Sequence, residues 1–212
     1  MDLGILGAIG SAGVLAAMGC LVRRKISATI RLLSVQGIMC ALAATLIGLQ
    51  YQECAIHMFI AAALALIGKT WLIPRMLAKV ARKVDAAREP HGLGTIWTTV
   101  LGSALILLVY LVTPPLEGVA GQLLAPSLAM VMLGFFMTVG RRLAVSQAIG
   151  LVIMENGVFL AGTGLTYGMP LIVELGTLLD LLIGVGVMGV LISRMHETLS
   201  TTDTSHLQNL KG

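Results

Sequence analysis

Apolar runs of about 20 residues recur along this chain, each followed by a short polar segment, and each is long enough to cross a bilayer as a helix. The runs cover roughly 3–22, 28–50, 55–75, 94–113, 122–140, 143–165 and 170–193. Pro114-Pro115 ends the fourth, and Tyr167-Gly168-Met169-Pro170 predicts a tight turn between the sixth and seventh. The pattern predicts an all-α integral membrane protein of about seven transmembrane helices. It forms one transmembrane domain over 1–194, with a polar cytoplasmic tail over 195–212. Within that domain, 1–93 holds three spans and a long loop, and 94–194 holds four spans.

Composition agrees with the pattern. Of the 212 residues, 57% are hydrophobic and 11% charged, against about 25% charged in soluble domains. Mean hydropathy is +0.95, which leaves no room for a separate soluble domain. The first run follows Met1-Asp2 without a basic leader or a small-residue cleavage site, so it is expected to be a retained helix. The abundance of Gly and Met (25 and 12) suits close helix packing in lipid.

Charge placement fixes the expected orientation. Arg23, Arg24, Lys25 and Arg31 flank the first connection, and Arg75, Lys79, Arg82, Lys83 and Arg88 fill the third. Arg141 and Arg142 mark the fifth, and Arg194 and Lys211 follow the last span. The opposite connections carry no Lys or Arg. The positive-inside rule then places the N-terminus outside and the C-terminus inside. Thirteen of the 14 basic residues obey it, the other being Lys69 inside the third span. The formal charge of +4 follows from this topology and does not point to nucleic acid.

Ionisable groups inside apolar spans are costly and by default mark an ion or proton pathway. Four candidates stand out: Glu155, Glu174, Asp180 and Lys69. Glu155 and Asp180 fall about 18–20 Å from the cytoplasmic end on consecutive antiparallel helices, at matching depth. Water between them would let a proton pass. Glu174 lies about 9 Å higher on the seventh helix, near the outer end. Each acid has a plainer alternative as a structural ion pair or hydrogen-bond partner. Lys69 reads either as a relay lysine or as a snorkelling side chain whose ammonium reaches the cytoplasmic surface.

Gln36, Gln147 and Asn156 read as interhelical hydrogen-bonding groups. Glu53 and His57 fall at the outer boundary; His91, His196 and His206 fall in cytoplasmic segments. Cys20, Cys40 and Cys54 have no C-x-x-C spacing, and two of them fall within apolar helices, where a Cys reads as a small hydrophobe; no disulfide and no metal site is expected. No phosphate loop or nucleophile constellation is present. A faint internal echo links the basic run Arg23-Arg24-Lys25 and Val35-Gln36-Gly37 to Arg141-Arg142 and Glu155-Asn156-Gly157, which would put Gln36 near where the second copy has its acid.

The C-terminal half carries further pattern: Gly140-Arg141-Arg142-Leu143, then Ile149-Gly150-Leu151-Val152-Ile153-Met154-Glu155-Asn156, then Asp180-Leu181-Leu182-Ile183-Gly184. Over roughly 120–194 it resembles the K-type subunit of complex I and the C-type subunit of Mrp antiporters. The whole chain is similar to the hydrogenase-4 component E family. Lys69 with Leu72-Ile73-Pro74, Met154-Glu155-Asn156-Gly157, Val173-Glu174-Leu175-Gly176, Asp180 and Asn209-Leu210-Lys211-Gly212 carry that likeness. In the K-type subunit two intramembrane glutamates serve a central hydrophilic axis. The resemblance places Asp180 at the second, and Val152 at the first, with Glu155 about one turn on.

The resemblance implies a non-catalytic membrane-arm subunit of a formate hydrogenlyase or energy-converting hydrogenase complex in a bacterial or archaeal cytoplasmic membrane. Antiporter-like and anchor subunits, and lipid, would be its neighbours. Nickel-iron and iron-sulfur centres would lie on cytoplasmic redox subunits, with no cofactor in this chain. A subunit of a cation/proton antiporter and a structural spacer are the alternatives.

Overall fold

The computed structural model describes residues 3–83, 86, 88, 89, 94–166, 182, 184–192 and 194. They form an all-α membrane protein: α1 (Leu3–Val22), α2 (Ile26–Gln50), α3 (Ala55–Leu64), α4 (Ile73–Lys83), α5 (Thr95–Val112), α6 (Gly118–Gly140) and α7 (Ala144–Thr166). A short 3₁₀ turn, Gln52–Cys54, precedes α3, and a π-helical stretch, Ala65–Leu72, joins α3 to α4. Six helices are long and apolar enough to cross a membrane: α1, α2, the continuous Ala55–Lys83, α5, α6 and α7. The chain is a multi-pass membrane protein. Among the described residues there is no strand, only an isolated bridge between Lys25 and Arg88.

The six spans fall close to their expected places, with one correction. The third was expected to end near 75, yet it continues helically to Lys83. Its last part is amphipathic: Ile73, Leu77 and Ala81 are buried at helical spacing, while Arg75, Lys79, Arg82 and Lys83 are exposed. Hydropathy alone sees only the charges, which lie at the membrane edge and turn outward. Of the expected seventh span, Leu182 and residues 184–192 are helical, as is Arg194 just after it, and Val185 and Ile192 pack into the core. The rest of that span, its proposed pairing with α7, and the tail lie outside the described residues.

Two helical hairpins, α1–α2 and α6–α7, make the centre of the bundle, with α1 against α6 and α2 against α7. Backbones meet closely where glycines face each other. A Cβ on Gly134 would stand 2.7 Å from the Gly150 carbonyl oxygen, so a larger residue there would separate α6 from α7. α7 is the most enclosed span and α5 the least. The buried Leu6, Leu33, Ile47, Met58, Leu123, Met130 and Ile149 fill the space between.

The basic end is tied together across three connections. Glu89, 6% exposed, accepts hydrogen bonds from the backbone N–H of Arg142 (2.7 Å) and Leu143 (3.1 Å) and from the Ser146 hydroxyl. It caps the start of α7 from 54 residues away, satisfying donors that a helix N-terminus leaves open. The Glu89 N–H donates to the Arg24 carbonyl at 2.9 Å. Arg141 Nη2 donates to the Leu21 carbonyl and, at 3.1 Å, to the Arg23 carbonyl at the end of α1. Burial pushes the Arg141 guanidinium below its ordinary value, and the Glu89 carboxylate opposes that shift. The first, third and fifth connections therefore share one end of the bundle, as the basic residues required.

A buried ion pair as candidate functional site

Lys69 lies 14 residues from either end of the span Ala55–Lys83, and Glu155 lies 11 from either end of α7. Both are therefore at the middle of their spans, about 16–21 Å along the helix from the nearest span end. The structure joins them: Lys69 Nζ is 2.5 Å from each carboxylate oxygen of Glu155. Their side chains are 3% and 17% exposed, so the carboxylate is the more accessible partner. The snorkelling alternative for Lys69 is excluded by this inward geometry.

The local sequence explains the placement. Pro74 has no N–H and its ring would crowd the carbonyl four residues back in a regular helix. The π-helical turns before it widen the spiral, and the Ile73 N–H bonds to the Gly68 carbonyl, five residues back. Lys69 sits in this widened stretch. Gly37 of α2 presses against it: a Cβ there would lie 2.9 Å from the Lys69 carbonyl carbon and 3.0 Å from the Thr70 nitrogen. Glycine at 37 thus sets how near α2 approaches the backbone that carries the lysine.

Around the pair the walls are apolar and small. Cys40, Ala41 and Ala44 of α2, Ala61, Ala62 and Ala65 of the third span, and Phe159 of α7 form one buried cluster. Phe159, one turn after Glu155, places its ring centroid 4.3 Å from Lys69 Nζ, a cation–π contact. Beside Glu155, Asn156 turns the other way. Its Nδ2 donates to Gln36 Oε1 (3.0 Å), and Gln36 Nε2 donates to the Gly13 carbonyl (3.1 Å). Cys40 Sγ donates to the Asn156 carbonyl at 3.7 Å. Asn156 Oδ1 is buried and has no partner. Gln36 and Asn156 thus form interhelical hydrogen bonds, as expected of each; that they bond to one another is a finding of the structure. Gln147 Nε2 donates to the Arg141 carbonyl at 2.9 Å.

Two oppositely charged groups in hydrocarbon can share one proton and remain neutral as a pair, whichever holds it. Glu174 and Asp180 lie outside the described residues, so the structure brings together two of the four predicted site residues. Val152, where the K-type resemblance puts an acid, is fully buried in the main core. Sequence reasoning missed the π stretch, the Phe159 contact and Glu89. The run Arg142-Leu143-Ala144 at the start of α7 offers no local Ser, Thr, Asp or Asn cap, which was a legible sign that a cap comes from elsewhere.

No family model matches the chain, and no solved structure matches it. A curated relative, the uncharacterized protein Rv0085 of Mycobacterium tuberculosis (strain ATCC 25618 / H37Rv), is 33% identical over 204 residues, covering 93% of this chain and 92% of the relative.

Proposed function

We propose that this chain, which belongs to the family of the mycobacterial protein, is a non-catalytic membrane-arm subunit of a redox-driven, ion-translocating complex of the hydrogenase-4 or formate hydrogenlyase type. It resides in a bacterial or archaeal cytoplasmic membrane. The observation that carries the reading is the Lys69–Glu155 pair at mid-membrane. A spacer has no need of two ionisable groups there, since apolar residues of similar volume would stabilise it as well or better. The pair's role is to hold a mobile proton within the bilayer and exchange it through Glu155. Asp180 and Glu174, by sequence position, supply further carboxylates along the path. Redox chemistry belongs to cytoplasmic partners with nickel-iron and iron-sulfur centres, reached through antiporter-like and anchor subunits.

The second reading, a subunit of a cation/proton antiporter, uses the same groups and is favoured by the resemblance of 120–194 to antiporter subunits. The two readings separate when the full chain is isolated with its partners from native membranes. Co-isolation of metal-bearing redox subunits, with proton translocation driven by their turnover and reduced in Asp180→Asn, supports the first. A sodium gradient driving proton exchange without any redox partner replaces it with the second.

A further inference from the structure

At the basic end, the first turns of α2 and the last turns of α4 enclose a groove of about 480 Å³. Its rim carries Lys25, Ser27 and Arg31 from the α2 side and Arg82 from α4. Its floor is Ile26, Ile30, Ala78 and Ala81. The three cations are exposed, while Ile26, Ile30 and Ala81 are buried. Arg31 and Ala78 each lie five residues from the ends of α2 and α4, about 8 Å into the bilayer. That is headgroup and upper acyl-chain depth on the face that the basic residues mark as cytoplasmic.

Among the described residues, no acid lines this groove; the neighbouring Glu89 is committed to the start of α7. The small side chains of Ala78 and Ala81 leave open the space beneath the cations. A positive rim above an apolar slot at this depth matches one molecule: a phosphodiester under the guanidinium groups with its acyl chains along the helices. We infer that the α2–α4 groove is a specific site for an anionic phospholipid of the cytoplasmic leaflet, with Arg31 and Arg82 holding the phosphate and Ala78 and Ala81 admitting the acyl chains.

The test uses the full chain purified in a neutral detergent, titrated with phosphatidylglycerol, phosphatidylcholine or inorganic phosphate. Bound lipid is read by native mass spectrometry and the denaturation midpoint by thermal scan. The expected result is a midpoint rise with phosphatidylglycerol only. Arg31→Gln with Arg82→Gln weakens that binding by about 30-fold, the loss of two interfacial cations. The charge-matched Lys79→Gln with Lys83→Gln, on the opposite flank of α4, retains it. Ala78→Leu, which fills the floor and keeps every charge, also weakens binding, so the inference does not depend on how the arginine variant folds. Equal losses in both double variants, an equal response to phosphatidylcholine or free phosphate, or an unaltered Ala78→Leu overturns the inference.

Discussion

Breaking the Lys69–Glu155 pair on one side has a different consequence from removing it whole, and the difference is measurable. At 2.5 Å and an effective dielectric of ~20, the attraction is about 7 kcal/mol. Taking each ion out of water costs several kcal/mol, so the intact pair contributes little net stability. Glu155→Leu leaves the Lys69 ammonium 3% exposed with, among the described residues, the Phe159 ring beside it, and is expected to cost about 3–5 kcal/mol. Lys69→Met strands the carboxylate in turn, at a smaller cost because Glu155 is 17% exposed. The double variant Lys69→Met/Glu155→Leu restores an all-apolar contact and is expected within ~1–2 kcal/mol of the parent. Equilibrium unfolding in mixed micelles of all four proteins gives the coupling energy directly. An ordinary interhelical hydrogen bond in lipid is worth only about 0.6 kcal/mol, because the separated helices find other partners. Additive single variants, or a coupling near that value, would refute the reasoning that the pair is a buried, mutually dependent ion pair.

Other expectations follow from the same geometry. Gly37→Ala puts a Cβ within 2.8–3.0 Å of Thr70 Oγ1, the Thr70 nitrogen and the Lys69 carbonyl carbon, and should lower stability by about 1–3 kcal/mol in the same unfolding assay. Asn156→Leu strands Gln36 Oε1 without its donor and should cost about 1–2 kcal/mol, whereas Gln36→Leu/Asn156→Leu together should cost less than the sum of the singles. Glu89→Ala opens two backbone donors and the Ser146 hydroxyl at the start of α7. It should cost about 1–3 kcal/mol and speed amide exchange at Arg142 and Leu143 without affecting amides near Lys69. Phe159→Leu keeps the apolar wall and removes the ring, with an expected loss of about 0.5–2 kcal/mol that vanishes in a Lys69→Met background.

The spans were legible because hydropathy reports them directly. Five of the six fall close to their expected ends, and the sixth differs where amphipathic α4 trades a hydropathy signal for a helical-period one. The candidate ionisable residues were legible too, since charge inside an apolar run stands out in one dimension. Their partnership was not. Lys69 and Glu155 are 86 residues apart, and which helices touch depends on glycine contacts and a π stretch that no periodic pattern announces. The sequence led instead to a match of Glu155 with Asp180 by depth on consecutive helices, and Asp180 lies outside the described residues. Glu89 shows the same limit: an acid in a basic loop looks solvated until the uncapped start of α7 is placed beside it.

The central claim is that the Lys69–Glu155 pair moves protons and is not merely a structural contact. The most direct test is proton translocation by the assembled complex carrying Lys69→Met/Glu155→Leu, with redox turnover measured in parallel on the same preparation. Because that variant is expected to fold and assemble, the account predicts turnover with proton movement lost or uncoupled. Full translocation at normal turnover would contradict it and leave the pair a packing contact.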